Sequence, residues 1–415
     1  VLFRSDTGKK IMVIGAGPSG LSAAYHLRRM GHAVTLFEAG PVAGGMMHFG
    51  IPAYRLPRDI IHAEVARIER MGVEIVLNHK VEDVVAEKAR GSFDAVFVAV
   101  GAHLSKKIDI PQREAGHILD ALSFLKDIEE GRAPKLGRRV AIYGGGNTAM
   151  DAARSAKRLG YEPLIVYRRD REHMPAHEFE ADEALAEGVK INWLRTIKEM
   201  DSHELTVEVM EINEQGKPVP TGQFETLEAD AVILALGQDT DTRFLDRVPG
   251  VARDDWNGTV SVGPDMMTGA PGLFAGGDMV PSERTAAIAI GHGKKAARNI
   301  DAWLRGERYQ KPATPPIVGY EGLHVWYHTD APRQEPGMLP AGARTDFSEI
   351  TTGLSRDEAR YEAARCLSCG NCFECDACFG ACPEQAIIRL GPGKGYEVNY
   401  DRCTGCAICA EQCPC

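Results

Sequence analysis

The chain has 415 residues, 44% hydrophobic and 26% charged, with a net charge of −10; this is the balance of a globular protein of roughly two to four domains. The acidic surplus argues against nucleic acid as a partner, and no apolar run approaches the roughly 18 residues that a membrane span needs. The chain opens at Val1 rather than Met and stops at Cys415, straight after a cysteine motif, so both ends are expected to be truncations.

Lys9-Lys10-Ile11-Met12-Val13-Ile14 reads as a short buried strand, followed by Gly15-x-Gly17-x2-Gly20, a helix over Leu21 to Met30, and a second strand, Ala33 to Phe37, ending at Glu38. Strand, glycine turn, helix, strand, acid is the dinucleotide-binding pattern. Gly15 permits the tight turn, Gly17 lets a pyrophosphate approach the backbone, and Gly20 lets helix and strand pack. The helix N-terminus faces the phosphates, and Glu38 can bond a ribose hydroxyl.

The pattern recurs. Arg139 to Tyr143 is a strand, Gly144-x-Gly146-x2-Ala149 the turn, Met150 to Leu159 the helix, and Pro163 to Tyr167 the next strand. Phe93 to Gly101 resembles Ala229 to Gly237, with Asp94 matching Asp230. Two copies of one unit account for both spacings. The second copy ends its second strand in Arg168-Arg169 instead of an acid. An arginine there pairs with a 2′-phosphate that an acid would repel. The first unit therefore reads as a site for a nucleotide with a free 2′-hydroxyl, and the second as an NADP(H) site, with NAD(H) the less favoured choice. Two solvated arginines at a strand end are the plain alternative.

Gly272 to Asp278 reads as a strand ending in an acid on a glycine turn (Gly277-Asp278), before a helix-like stretch from Arg284 to Trp303 with Thr285 near its start. Asp278 can bond a polyol chain, and the helix N-terminus at Thr285 can stabilise negative charge on a reduced flavin; a turn with an ordinary helix cap explains the same residues. Gly306 to Thr352 holds six prolines and reads as an irregular linker. Leu354 to Arg365 then reads as a short helix capped by Ser355 and Glu358.

All eleven cysteines lie from Cys366 onward. Two runs, Cys372-x2-Cys375-x2-Cys378-x3-Cys382-Pro383 and Cys403-x2-Cys406-x2-Cys409-x3-Cys413-Pro414, have the spacing of a two-cluster ferredoxin, in which the fourth cysteine of each run ligates the other cluster. The expected sets are crossed: Cys372, Cys375, Cys378 and Cys413 on one [4Fe-4S] cluster, and Cys403, Cys406, Cys409 and Cys382 on the other. Eleven cysteines cannot all pair as disulfides, and zinc sites use separated pairs rather than triplets. Cys366 and Cys369 extend the ladder and are either bystanders or ligands of a further cluster; Cys415 has no assigned role. Thiolates kept as ligands go with a reducing compartment, most simply the cytoplasm.

The residues from about 8 to 305 resemble the small, electron-input subunit of bacterial glutamate synthase and its relatives. The matching signatures are Val13 to Leu21; Gly44-Gly45-Met46-Met47 with Gly50-Ile51-Pro52 and Arg55-Leu56-Pro57; Gly144-Gly145-Gly146-Asn147-Thr148-Ala149-Met150-Asp151; Tyr167-Arg168-Arg169 with Met174-Pro175; and Ala275 to Asp278. The resemblance implies an α/β fold of two Rossmann-like dinucleotide-binding domains, for FAD and for NADP, the second inserted in the first. A small C-terminal ferredoxin-like iron–sulfur domain follows. The expected bounds are 8–120 and 239–305 for the two FAD segments, 121–238 for NAD(P)H, 306–353 for the linker and 354–415 for the iron–sulfur domain. It places Gly45 beside the FAD, and Asn147, Thr148 and Ala149 beside the second nucleotide. Glutamate synthase small subunits carry their cluster cysteines at the N-terminal end; here the iron–sulfur module is C-terminal, as in relatives that serve other acceptors.

The expected activity is NAD(P)H-dependent: electrons pass between NADPH, FAD and two [4Fe-4S] clusters, and on to a protein acceptor or donor. That partner is a large synthase-type subunit, an oxidoreductase complex or a ferredoxin. No acid–base residue is required. His48, His103 and His292 lie near glycine-rich motifs and are candidates to line the flavin, though a lone histidine is more often structural. A disulfide reductase needs a redox cysteine pair near the flavin, and none precedes Cys366. The alternative is a non-enzymatic electron-transfer or assembly subunit of a larger ferredoxin-linked or bifurcating complex.

Overall fold

The computed structural model describes residues 4–106, 108, 110–111, 117–313, 330–365, 372 and 374–413. In chain order the strands of the two main sheets are β1 (Lys10–Ile14), β2 (Ala33–Phe37), β3 (Glu74–Val76), β4 (Ala95–Val98), β5 (His117–Asp120), β6 (Arg139–Tyr143), β7 (Glu162–Tyr167), β8 (Lys190–Trp193), β9 (Ala231–Leu234) and β10 (Leu273–Ala275). Three helices matter most: α1 (Pro18–Arg29), α2 (Asn147–Arg158) and α3 (Ala286–Leu304). The first sheet has the order β10-β4-β1-β2-β3 and the second β5-β9-β6-β7-β8, all parallel. Because β10 returns to the first sheet after the second is complete, the second Rossmann-like domain is inserted in the first.

The internal repeat is visible in side chains as well as strand order. Asp94 accepts the backbone N–H of Lys10 at 2.8 Å, and Asp230 accepts that of Arg139 at 2.8 Å. Each carboxylate ties the start of one central strand to its neighbour. In β6, Val140 and Ile142 face a helical layer containing Phe124 and Met150. Ala141 and Tyr143 face the opposite way, as strand alternation requires. That second face is covered by an antiparallel sheet of residues 195–200, 204–212 and 218–228.

The chain forms two compact bodies. Val1–Gln310 and Leu339–Ile350 make the first, and Lys311–Met338 and Thr351–Cys415 the second. Leu339–Ile350 lies inside the stretch expected to be an irregular linker, yet it packs on the first body: Ile350 is buried and its N–H donates to the carbonyl of Tyr54 at 3.1 Å. The second body contains a helix over Arg356–Ala364, with the Ser355/Glu358 capping box in place. It also holds a hairpin of Ile387–Arg389 with Tyr396–Val398.

Candidate functional site

The two glycine turns are built alike. Gly15 has φ +99° and Gly144 φ +150°, and a Cβ on either would collide with a carbonyl oxygen, that of Ala99 or of Ala235. These are equivalent positions just beyond β4 and β9, so the turn admits glycine alone. Gly17 and Gly146 differ in kind. They are the N-caps of α1 and α2 with ordinary extended backbone, and no side chain caps either helix. An added Cβ at Gly17 or Gly146 meets nothing within 4 Å. Open space over an uncapped helix N-terminus fits a pyrophosphate, which takes N–H donors and the positive end of the helix dipole. Gly20 packs against the Gly15 carbonyl; its counterpart Ala149 is fully buried, so the second helix accommodates a methyl there.

Around the first turn several candidates converge. Glu38 accepts the N–H groups of Ala16 and Gly40, each at 2.8 Å, which fixes the carboxylate beside the turn. A Cβ on Gly45 would stand 2.9 Å from Gly17 Cα, and Gly44 donates to Ala16 O at 2.8 Å, so the 44–45 segment lies on the same turn. Gly277 is there too: its Cβ would stand 3.0 Å from Ser19 Cβ. The Ser19 hydroxyl is buried without a hydrogen-bond partner. Asp278 is half-buried; burial raises its pKa, with Arg284 opposing. An orphaned hydroxyl and a poorly solvated acid beside an open helix N-terminus fit FAD. Ser19 lies within the Val13–Leu21 signature, but its burial has no trace in sequence.

The Thr285 side chain accepts the N–H of Ile288 at 3.2 Å; its oxygen is therefore a helix cap, and it places the N-terminus of α3. His292 Nδ1 accepts the Gly277 N–H at 3.2 Å, and burial followed by Lys295 holds its pKa below the usual value. His48 is buried, with Nε2 3.9 Å from Glu129. His103 is exposed.

In the second domain Asn147 Oδ1 accepts the His177 N–H at 3.0 Å and braces the loop after β7. Thr148 is half-buried in the first turn of α2. Arg168 is exposed and Arg169 half-buried, with the Arg169 Nε buried and unpartnered. A guanidinium with a spare buried donor at the end of β7 fits an anion such as a 2′-phosphate.

The cysteine turns repeat as the nucleotide turns do. Short helices start at Ala377 and Ile408. Before them Glu374 and Asp376 have φ +60° and +64°, and their counterparts Gly405 and Ala407 have φ +71° and +62°. Asp376 anchors the first turn to the hairpin through Arg389, at 2.8 and 2.6 Å, and Tyr396, at 2.5 Å. Burial raises the Cys378 thiol pKa, and the charges that add to it are those of Cys413, Cys375 and Cys372. Cys382 Sγ accepts the Ala386 N–H at 3.3 Å. The eight described cysteines are free thiols, and among the described residues no three ligand side chains converge on a single ion. Cys366, Cys369 and Cys415 lie outside the described residues.

Residues 9–293 match the family described as pyridine nucleotide-disulphide oxidoreductase. The chain belongs to this family. It is 40% identical to the NADP(+)-dependent formate dehydrogenase subunit beta of Moorella thermoacetica over 88% of its own length and 55% of that protein's. It is 34% identical to the putative glutamate synthase [NADPH] small chain of Cereibacter sphaeroides, over 76% of its own length and 80% of that protein's. Among solved structures it is similar to FprA from Mycobacterium tuberculosis in complex with NADPH, with TM-score 0.58 and 19% identity over 74% of this chain and 88% of that one. The chain thus spans little more than half of the formate dehydrogenase subunit. Family membership together with the two cysteine runs gives its cofactors: FAD, NADP(H) and two [4Fe-4S] clusters. The matched residues 9–293 contain no cysteine, so this member does not carry the family's thiol chemistry there. Among the described residues no helix is long and apolar enough to cross a membrane.

Proposed function

We propose that this chain is the electron-input subunit of a larger oxidoreductase, moving electrons between NADP(H) and a protein partner. When bound, FAD accepts hydride and yields electrons singly, and the two clusters carry them one at a time. The chain's own residues bind and orient. Residues 8–120 and 239–305 hold the FAD, with Gly17, Gly45, Gly277 and Asp278 around its pyrophosphate and polyol and Glu38 at its ribose. Residues 121–238 hold NADP(H), its pyrophosphate on the α2 N-terminus at Gly146 and its 2′-phosphate on Arg169 and Arg168. Residues 354–415 hold the clusters in the two crossed cysteine sets.

The observation that carries this reading is the pair of cysteine turns with matching backbone conformation, Glu374 and Asp376 in one and Gly405 and Ala407 in the other, all at positive φ, in a chain that also presents two open glycine turns. The partner is a large synthase-type subunit, another oxidoreductase subunit or a ferredoxin; the similarity to a formate dehydrogenase subunit supports the second of these. Thiolates kept as cluster ligands support a cytoplasmic setting. The test is anaerobic: NADPH added to the purified holoprotein is expected to bleach the flavin absorbance faster than NADH, and then to reduce a one-electron acceptor. A flavin that NADPH leaves unbleached overturns the enzyme and leaves the passive electron-transfer subunit. Anaerobic co-purification identifies the partner.

A further inference from the structure

The two Rossmann-like domains meet over a set of ion pairs. Arg55, from the segment before residue 58 of the first domain, reaches both carboxylate oxygens of Asp151 on α2, at 2.7 and 2.8 Å, and Glu180 at 2.6 Å. Beside it the ring of Tyr54, 0% exposed, lies under the guanidinium groups of Arg154 and Arg158, 4.9 and 3.8 Å from the ring centroid. Glu187, at the end of the following helix, is shared by three arginines: Arg154 at 2.7 Å, Arg158 at 2.6 Å and Arg344 at 3.1 Å.

Arg344 belongs to the Leu339–Ile350 segment, which touches both domains. Arg344 pairs with Glu187 and Asp346 O accepts from Arg158 Nε at 3.0 Å, both on the second-domain side. Ile350 N–H donates to Tyr54 O at 3.1 Å, on the first-domain side. The segment closes on itself through Leu339 N–H to Ile350 O at 2.8 Å and Arg344 Nε to Leu339 O at 2.8 Å. It is a strap laid across the seam.

Interfaces between domains of one chain are polar and mobile by default. Buried ion pairs add little net stability, because desolvation offsets their attraction, but they are demanding of geometry. A seam built from them therefore selects one arrangement more than it strengthens the fold. Hydride transfer has that need: the reacting atoms have to stand about 3–3.5 Å apart. We propose that Tyr54, Arg55 and Arg344 are positioning residues, which hold the second domain in the one arrangement from which its bound nicotinamide reaches the flavin of the first. The kinetic part of this rests on the function proposed above; the seam itself does not.

The experiment uses the full holoprotein with Arg344→Ala, Arg344→Lys, Tyr54→Leu and Tyr54→Phe. Hydrogen–deuterium exchange is followed in peptides covering 51–58 and 147–158 and in strands β1 and β6. Arg344→Ala and Tyr54→Leu are expected to speed exchange at the seam and leave the strands unchanged. The flavin-reduction rate at saturating NADPH should fall about 10- to 100-fold, while half-saturation moves less than about two-fold. Arg344→Lys should recover part of the rate. Tyr54→Phe should match wild type, because the buried hydroxyl it removes has no partner. If Tyr54→Leu does not fold, the Arg344 pair decides. Wild-type exchange at the seam in Arg344→Ala overturns the proposal. So does equal acceleration in the strands, which marks general loosening, or a loss of NADPH affinity in place of rate. A wild-type protein that NADPH does not reduce defeats the functional reading, and the exchange result still decides the strap.

Discussion

The two glycines of one turn separate folding from nucleotide binding. Gly144→Ala places a methyl against the Ala235 carbonyl at φ +150°; strain of this kind costs about 1–3 kcal/mol before the collision is counted. Gly146→Ala sits at φ −94°, ψ 176°, which any residue adopts, with nothing within 4 Å. The gain of about 0.4–1 kcal/mol from restricting the unfolded chain is offset by the poorer capping of alanine at this helix N-cap, so stability should change little. Its methyl nevertheless occupies the opening over the α2 N-terminus, where it holds a phosphate away from the backbone donors. A charge-assisted hydrogen bond contributes about 1.5–3 kcal/mol, so losing one weakens NADPH about 10- to 150-fold. The assay is anaerobic NADPH titration alongside the thermal midpoint and FAD content. Gly146→Ala is expected to keep its midpoint and FAD and lose NADPH, while Gly144→Ala lowers the midpoint. Gly17→Ala should mirror the first result, losing FAD while NADPH binding persists. NADPH affinity within two-fold of wild type in Gly146→Ala, or FAD lost alongside NADPH, would refute the assignment of this opening.

Arg169→Ala should weaken NADPH about 10- to 150-fold and NADH little, and Arg168→Ala should do less because that side chain is exposed; flavin-reduction rates against both nucleotides check this, and equal losses for both reject the 2′-phosphate site. Two crossed sets of four thiolates predict about eight iron per chain on anaerobic analysis; near four rejects the second cluster, and near twelve brings Cys366 and Cys369 in as ligands. A chain ending after Ile350 should keep FAD and its reduction by NADPH. One ending at Arg305 lacks the strap and leaves Arg158 and Glu187 short of partners; it should retain less FAD and unfold at a lower temperature, and equal behaviour of the two truncations shows the strap to be dispensable.

What could be read from sequence was local. The turns at Gly15 and Gly144 sit between strand and helix within a few residues, and the Asp94/Asp230 correspondence followed from matched apolar runs; both describe the structure, down to the backbone N–H each acid accepts. Spacing also set the register of the cysteine runs, while the assignment of Cys413 to the set of Cys378 came from the known pattern of crossed ligation. The strap left no such trace. It holds one proline, Pro340, has no period, and holds on through backbone atoms of Asp346 and Ile350 and one arginine. Arg55 and Asp151 lie inside the family's sequence signatures, but their pairing joins two domains and no local rule foretells it. Thr285 admitted two readings because a helix cap and a helix N-terminus aimed at a ligand use the same residue; its hydroxyl is the cap.

The division of cysteine along the chain links the family to the function. Residues 9–293 share the fold of enzymes that pass flavin electrons to sulfur, yet hold no sulfur nucleophile. A hydride gathered there cannot be discharged through thiol–disulfide exchange, which needs a thiolate beside the flavin. Another carrier has to take the electrons, and it has to take them singly if the acceptor is a cluster. The tail supplies eight thiols in two turns of matching backbone conformation. On the proposed function the absence of cysteine from 9–293 and the two cysteine turns of the tail fit together: without a thiol pair there is no two-electron exit by thiol exchange, and clusters on the tail would supply a one-electron exit. On this argument the nucleotide domains are free to be rigid. On the proposed function no thiol substrate needs access to the flavin between turnovers, so a seam of directional ion pairs such as Arg55–Asp151 carries no penalty for holding a single arrangement.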